Sequence, residues 1–319
     1  MALYDNPHFT IEPLAAGVVA LLAKEGGEAI ANAGLVDLGG EVLAYDCTLT
    51  PQAGRQLANV SQTLFGRKPG LVLLSHYHND HLWGAQAFAG PGKARLLCSQ
   101  TTAMQMKSDG AEEIAWYTAN SATQLAKLRS EVSAAKRAGD EALVAQKSMW
   151  LGYYRGLVKA MPKLRVVAPT LTYNDGITLA GHTRTAEVLE VQQTHTGSDS
   201  ILYLKAEGIA FVADLLFVGH HPYLADGNPD RLLAALKDLQ EKDPRMVVGG
   251  HGGVGNAQDL ALMIAYIEAC QARAAQLRAA GLTSADAIAA EKPEARFAGW
   301  KLAHFYNANL AFLVKQAGG

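Results

Sequence analysis

The sequence predicts an α/β protein, on three observations. Short runs rich in Val, Leu and Ile, broken by glycine, fill residues 9–48. Strand-like and helix-like stretches alternate from 51 to 100, which layers helices on sheets. Ala111 to Lys163 is long and rich in Ala, Lys, Glu, Gln and Leu, all good helix formers.

The chain of 319 residues is read as one domain over 1–319, with a helical insert at 111–165 and C-terminal helices at 256–319. Hydrophobic residues make up 49% and charged residues 18%, which predicts a filled core rather than disorder. A net charge of -2 and a pI near 6.6 leave no basic excess for a phosphate backbone, so no nucleic-acid partner is expected. Cys47, Cys98 and Cys270 are far apart and form no CxxC. They read as partly buried thiols in a reducing compartment. Leu14 to Ala23 is apolar but has no Lys or Arg before it, which argues against a signal peptide. No run approaches the roughly 20 residues of a membrane span. The expectation is a soluble, cytoplasmic protein with no membrane partner and a small-molecule substrate. The oligomeric state is open.

The elements follow in order. Phe9 to Thr48 reads as a β-meander. Pro51 to Phe65 has helical spacing at Leu57, Val60 and Leu64. GLVLLS (70–75) is an apolar strand, LWGAQAF (82–88) a helix, and Lys93 to Gln100 another strand. In the insert, Gly139-Asp140 is the turn of a helical hairpin. Strands resume at LRVVAP (164–169), LTYNDGITLA (171–180) and VLEVQQ (188–193). SILYLKAEGIAFVAD (200–214) reads as a hairpin joined at Glu207-Gly208. Asp230 to Gln240 is a helix with Asp230 as its N-cap, MVVGG (246–250) a final strand, and Gln258 to Leu277 and Glu294 to Gln316 are helices. No short tandem repeat is present.

The chemistry gathers where these strands end. GLVLLS runs into His76-x-His78-x-Asp80-His81, VLEVQQT into His195, GIAFVA into Asp214 and MVVGG into His251. Loops at strand ends converge on one edge of a sheet. Imidazole and carboxylate together suit zinc, and also iron or manganese. Side chains two apart in an extended stretch point the same way, so His76 and His78 can grip one ion. Asp80 and His81, where a helix begins, can face a second. These seven donors are too many for one tetrahedral zinc, and one carboxylate can bridge a pair. Alone, HYHNDH could be a polar turn. The later strand ends argue against that reading.

With HYHNDH (76–81), THTGSDS (194–200), ADLLF (213–217), GGHGGVG (249–255) and the opening NAGLVDLGGEVLAYDC in view, the chain resembles the metallo-β-lactamase superfamily. The resemblance covers Phe9 to Gly255 apart from the insert. It implies an αββα four-layer sandwich. It implies a first metal on His76, His78 and His195, and a second on Asp80, His81 and His251, with Asp214 bridging. Asp46 matches an aspartate near the metal loop and is a candidate support. Ala213 stands where the family usually has Gly. Asp214 stands where one large group of true β-lactamases has Cys, a pattern closer to glyoxalase II-type thioesterases and lactonases.

The resemblance implies a hydrolase with two divalent ions, zinc first and iron or manganese otherwise. Two such ions about 3.5–4 Å apart lower the pKa of a shared water, and the resulting hydroxide attacks a carbonyl of a lactone, lactam, thioester or ester. Asp80 is the expected catalytic residue, relaying a proton. The alternative is a non-haem iron oxidoreductase of persulfide dioxygenase type, which uses one iron and would not need His81 and His251. His220 and His221 read first as a loop pair at a turn. The alternative is that one of them, or Tyr223, touches substrate. Trp150, Tyr153 and Tyr154 read first as packing the insert onto the body, and otherwise as an aromatic lid that binds substrate.

Overall fold

The computed structural model describes residues 6–90 and 92–316. The first sheet is β1 (Phe9–Ala15), β2 (Val18–Ala23), β3 (Ala33–Asp37), β4 (Val42–Tyr45), β5 (Leu71–Leu73), β6 (Arg95–Ser99) and β7 (Leu171–Tyr173), in that spatial order. Its first four strands form the expected antiparallel meander. The remaining three join in parallel, because each is reached by a crossover. The second sheet holds β8 (Gly176–Ala180), β9 (Thr185–Gln192), β10 (Ser198–Leu204), β11 (Ile209–Phe217), β12 (Met246–His251) and β13 (Val254–Gly255), again neighbour to neighbour.

Both faces of each sheet are covered, which explains the near-continuous apolar runs. In β2, Val18 and Ala20 turn toward the second sheet, while Val19 and Leu21 turn toward helices. Leu43, Leu73 and Leu97 of the first sheet meet Val188, Leu202 and Phe211 of the second. Helix α1 (Pro51–Phe65) covers the outer face of the first sheet through Ala53 and Leu57. Thr50 caps it, taking the Ala53 N–H at 3.1 Å. Two short helices, α2 (Asn79–Leu82) and α3 (Gln100–Gln105), precede the insert. The insert is α4 (Asp109–Ala138) and α5 (Glu141–Ala160), turned at Gly139 with Asp140 capping, as the sequence predicts. Helices α6 (Pro229–Glu241), α7 (Ala257–Ala279), α8 (Ala285–Ala289) and α9 (His304–Gln316) follow. Leu236 of α6, Ile267 of α7 and Leu313 of α9 cover the outer face of the second sheet. The layers therefore run helix, sheet, sheet, helix.

Several expected elements differ. LRVVAP is not a strand. Pro169 has no N–H to donate, and Val166 and Val167 pack on the core instead of joining a ladder. The LWGAQAF helix is only the end of α2 and a 3-10 turn, Trp83–Ala87. Gly84 lies so close to the Cys47 carbonyl that a Cβ would overlap it, and its N–H is taken by Thr48. The cap of α6 is Asn228 rather than Asp230, because Pro229 occupies the first helical position and the cap must precede it. The expected helix from Glu294 is interrupted. Lys301 spends its backbone groups on Gly219 and His221, Leu302 has φ of 59°, and α9 starts at His304.

Among the described residues, no helix is long and apolar enough to cross a membrane. All three cysteines are free and buried.

Candidate metal centre

The strand ends do converge. β5 delivers the chain to His76, which is fully buried. His78 is the extended N-cap residue of α2, and Asp80 and His81 lie inside that helix. The change from extended to helical backbone splits the motif into two aims. His76 Nε2 and His78 Nδ1 lie 3.1 Å apart, and His195 Nε2 is 3.2 Å from His78 Nδ1. Donors about 2.0–2.1 Å from a tetrahedral zinc lie about 3.3–3.4 Å from one another, so this spacing fits. The donor atoms of His76, His78, His195 and Asp214 form one group that could hold an ion, and those of Asp80, His81 and His251 form another.

Asp214 faces both groups. Its Oδ2 is 3.2 Å from His195 Nε2. Its Oδ1 is 3.0 Å from His81 Nε2 and 3.5 Å from His251 Nε2. Asp214 does not follow its strand, as the sequence suggested. It lies within β11, where the pairing with β12 shifts on both sides of Ala213. Ala213 is held at φ of 44°, in the left-handed region that costs a non-glycine residue about 1–2 kcal/mol. That bend aims Asp214 at the site and accounts for the preference for Gly there. Gly250 is equally constrained, since a Cβ would overlap Asp214 Oδ1.

Three of these imidazoles, those of His76, His78 and His81, have their second nitrogen anchored. His76 Nδ1 meets Ser75 Oγ at 2.9 Å, and His81 Nδ1 meets Asp46 Oδ2 at 2.7 Å. Asp46 is itself fixed by the Ser75 N–H and hydroxyl, both at 2.8 Å. His78 Nε2 meets Asp226 Oδ2 at 2.9 Å, and the Tyr77 hydroxyl donates to the same oxygen at 2.6 Å. Such partners set the tautomer and direct the free nitrogen inward. His81 Nε2 and Asp214 Oδ1, both buried, make no hydrogen bond despite their 3.0 Å approach. Orphaned donor atoms facing one point are what a metal ion would satisfy. Burial opposes charge on Asp214, yet His81, His251 and His195 outweigh it and hold its carboxyl well below the usual carboxylate range. Burial, aided by His81 and His78, keeps His76 neutral, the form that ligates.

A cavity of about 660 Å³ opens from this cluster. His220, Tyr223 and Trp150 line it. Tyr154 and His221 lie off its lining. Tyr154 packs edge-on against Tyr153, and His221 is fully buried with Nδ1 3.0 Å from the Tyr266 hydroxyl. Burial pulls His221 and His220 down to about 4, so both are neutral at physiological pH. Three contributors escaped the sequence reading: Asp226, Asn32 and Glu113. Asn32 donates to the carbonyls of Gly249 and Gly252, tying the edge of β3 to the end of β12 that carries His251. Glu113 reaches the cavity from α4, and burial, aided by Asp80, pushes it up to about 8. The rule that each ligating imidazole needs a partner for its second nitrogen would have prompted a search for Asp226.

A family model for the metallo-beta-lactamase superfamily matches residues 26–251. No curated protein sequence matches significantly. A metallo-beta-lactamase from Pontibacter korlensis superposes with a TM-score of 0.59 at 15% identity, covering 82% of this chain and 99% of that one. FIM-1 from Pseudomonas aeruginosa, solved in a mono-zinc form, gives 0.58 at 12% identity over 84% and 98%. At these identities the likeness speaks for the fold alone. The family match spans most of the chain and takes in every candidate ligand from His76 to His251, so the chain belongs to the metallo-beta-lactamase superfamily.

Proposed function

We propose that the protein is a hydrolase of carbonyl compounds that works with two divalent metal ions, zinc in the first place. The observation that carries this reading is Asp214, with one oxygen toward each histidine group at the base of an open cavity. His76, His78 and His195 would hold one ion and Asp80, His81 and His251 the other, with Asp214 shared. When bound, such ions polarise a carbonyl and bring the pKa of water toward neutrality. The chain's own side chains supply the rest. Asp80 Oδ2, 3.6 Å from His251 Nε2, takes up a proton from the attacking water and returns it to the leaving group. Phe217 stacks on His251 with ring centroids 4.7 Å apart and keeps bulk water off that side. Esters, lactones, thioesters and lactams are the substrate classes in reach.

Elemental analysis of the purified protein, followed by a hydrolysis panel of those four classes, tests the reading. Near two zinc ions per chain, with turnover that a chelator abolishes and zinc restores, supports it. About one iron per chain, with oxygen uptake on thiol substrates and no hydrolysis, overturns it.

A further inference from the structure

The cavity has a polar floor and, Glu113 and the charged rim apart, mainly apolar walls. The insert contributes Met149 and Trp150 to these walls, and the C-terminal segment contributes Leu302 and Phe305. Phe217 and Tyr223 complete the wall between them. These side chains are half-buried or, for Phe217, buried beside the site. They are also held in place by one another. Trp150 packs edge-on against Tyr153 at 5.5 Å and meets the His304 ring at 5.6 Å, and Tyr223 packs against Phe305 at 5.4 Å. Tyr153 is anchored in turn by a hydrogen bond of 3.1 Å with Asn79, next to the floor ligands. The insert and the C-terminal segment therefore meet beside the cleft, through Trp150 and His304. At the rim, Lys301 pairs with Glu25, both well exposed, so this pair is spent on joining two rim segments.

Packing aromatic and aliphatic surface around an opening that ends at the ligand cluster leaves apolar area exposed to water in the free protein. That area gains free energy when a ligand covers it, in proportion to the apolar surface buried. Resting on the hydrolase reading, we propose that the substrate is an ester, lactone or thioester with an apolar arm. The arm is a medium-length acyl chain or an aryl group, and it lies along Trp150 and Phe305 while the carbonyl reaches the floor.

Two series test this separately from the hydrolase reading. The first is binding of straight-chain 2-alkanones, from butanone to decanone, to the purified metal-loaded protein by calorimetry. Ketones cannot be hydrolysed, so this series reads the walls alone. The dissociation constant is expected to fall about fourfold for each methylene buried. Trp150→Ala and Phe305→Ala, from separate chain segments, are each expected to flatten that dependence, so a folding failure in one leaves the other as a test. The second is kcat/KM for 4-nitrophenyl esters from acetate to octanoate, expected to rise with chain length. Ketone affinity that climbs with length while no ester, lactone, thioester or lactam is turned over would sink the hydrolase reading and keep the apolar site. Turnover with flat ketone affinity and flat ester preference would overturn the apolar arm and keep the hydrolase. Flat ketone affinity without turnover would overturn both.

Discussion

The floor of the cleft and its walls are built in opposite ways. The floor comes from the ends of strands, from Asp214 within β11 and from α2, all within the family-matched span of residues 26–251. His76, His81 and His195 are almost wholly buried, and His76, His78 and His81 each have their second nitrogen held by a neighbour. The walls come from the insert, from the loop after β11, and from the segment around α9. Their side chains are half-exposed and hold one another mainly by ring contacts. A floor of directed donors tolerates little change, because each lost donor leaves charge or lone pairs uncompensated. A wall of rings loses only the area of the ring removed. The contrast predicts steep effects below and graded effects above.

The steepest should be Asp214→Ala. It removes the carboxylate that faces both histidine groups, and it leaves His81 and His195 without their shared partner. Metal content should fall by at least one ion per chain, and activity by more than the roughly 100-fold typical of losing an outer partner. Full metal content with native turnover would remove Asp214 from the bridging position. Below it comes His78→Ala set against His182→Ala. His78 stands within 3.2 Å of two other imidazoles, whereas His182 is exposed and outside the cluster. Metal measured after dialysis should drop in the first variant and stay at the wild-type level in the second. Equal retention in both would break the distinction between floor and surface.

Asp226→Asn sharpens the same contrast from outside the donor set. It keeps the side chain's shape but weakens the hold on His78 Nε2 and on the Tyr77 hydroxyl. Metal affinity should fall about 10- to 100-fold. Competition with a zinc-responsive dye would measure it, and unchanged affinity would mean that His78 is oriented by packing alone.

The floor and the walls also differ in how far the sequence showed them. His76, His78, Asp80 and His81 occupy a few consecutive positions, and the backbone period alone gives their aims. His195 and His251 each come at or just after the end of a strand, so strand reading finds them. Asp226 is 148 positions from His78 and sits in a loop with no period, so only the folded loop brings the two together. Trp150 showed its helical spacing but not its neighbours, since His304 comes from another end of the chain. Tyr154 and His221 have the same residue types as their lining neighbours, and rotation of one element decided which faced the cavity. The interruption at Leu302 was hidden for the same reason. It depends on backbone bonds to Gly219 and His221, in a distant loop that local propensity cannot see.

The smallest expected effect lies behind the wall, at His221. It is fully buried against Tyr266, Trp300 and Tyr306, where it anchors the loop that carries His220 and Tyr223. Burial, with His304 adding to it, lowers its folded-state pKa to about 4 from an ordinary 6.5. Between those values the unfolded chain binds a proton that the folded chain does not. The linkage therefore runs one way: the neutral ring's contribution is complete above pH 6.5 and is lost as pH falls through that window toward 4. His221→Asn should remove one proton's share of this loss. Urea midpoints at pH 7 and pH 5 should thus lie closer together in the variant than in the wild type. Acid release of metal from the floor affects both proteins alike and cancels in that comparison. An unchanged pH dependence would mean that His221 takes up its proton in the folded protein, and the wall would then lack the rigid anchor this geometry gives it.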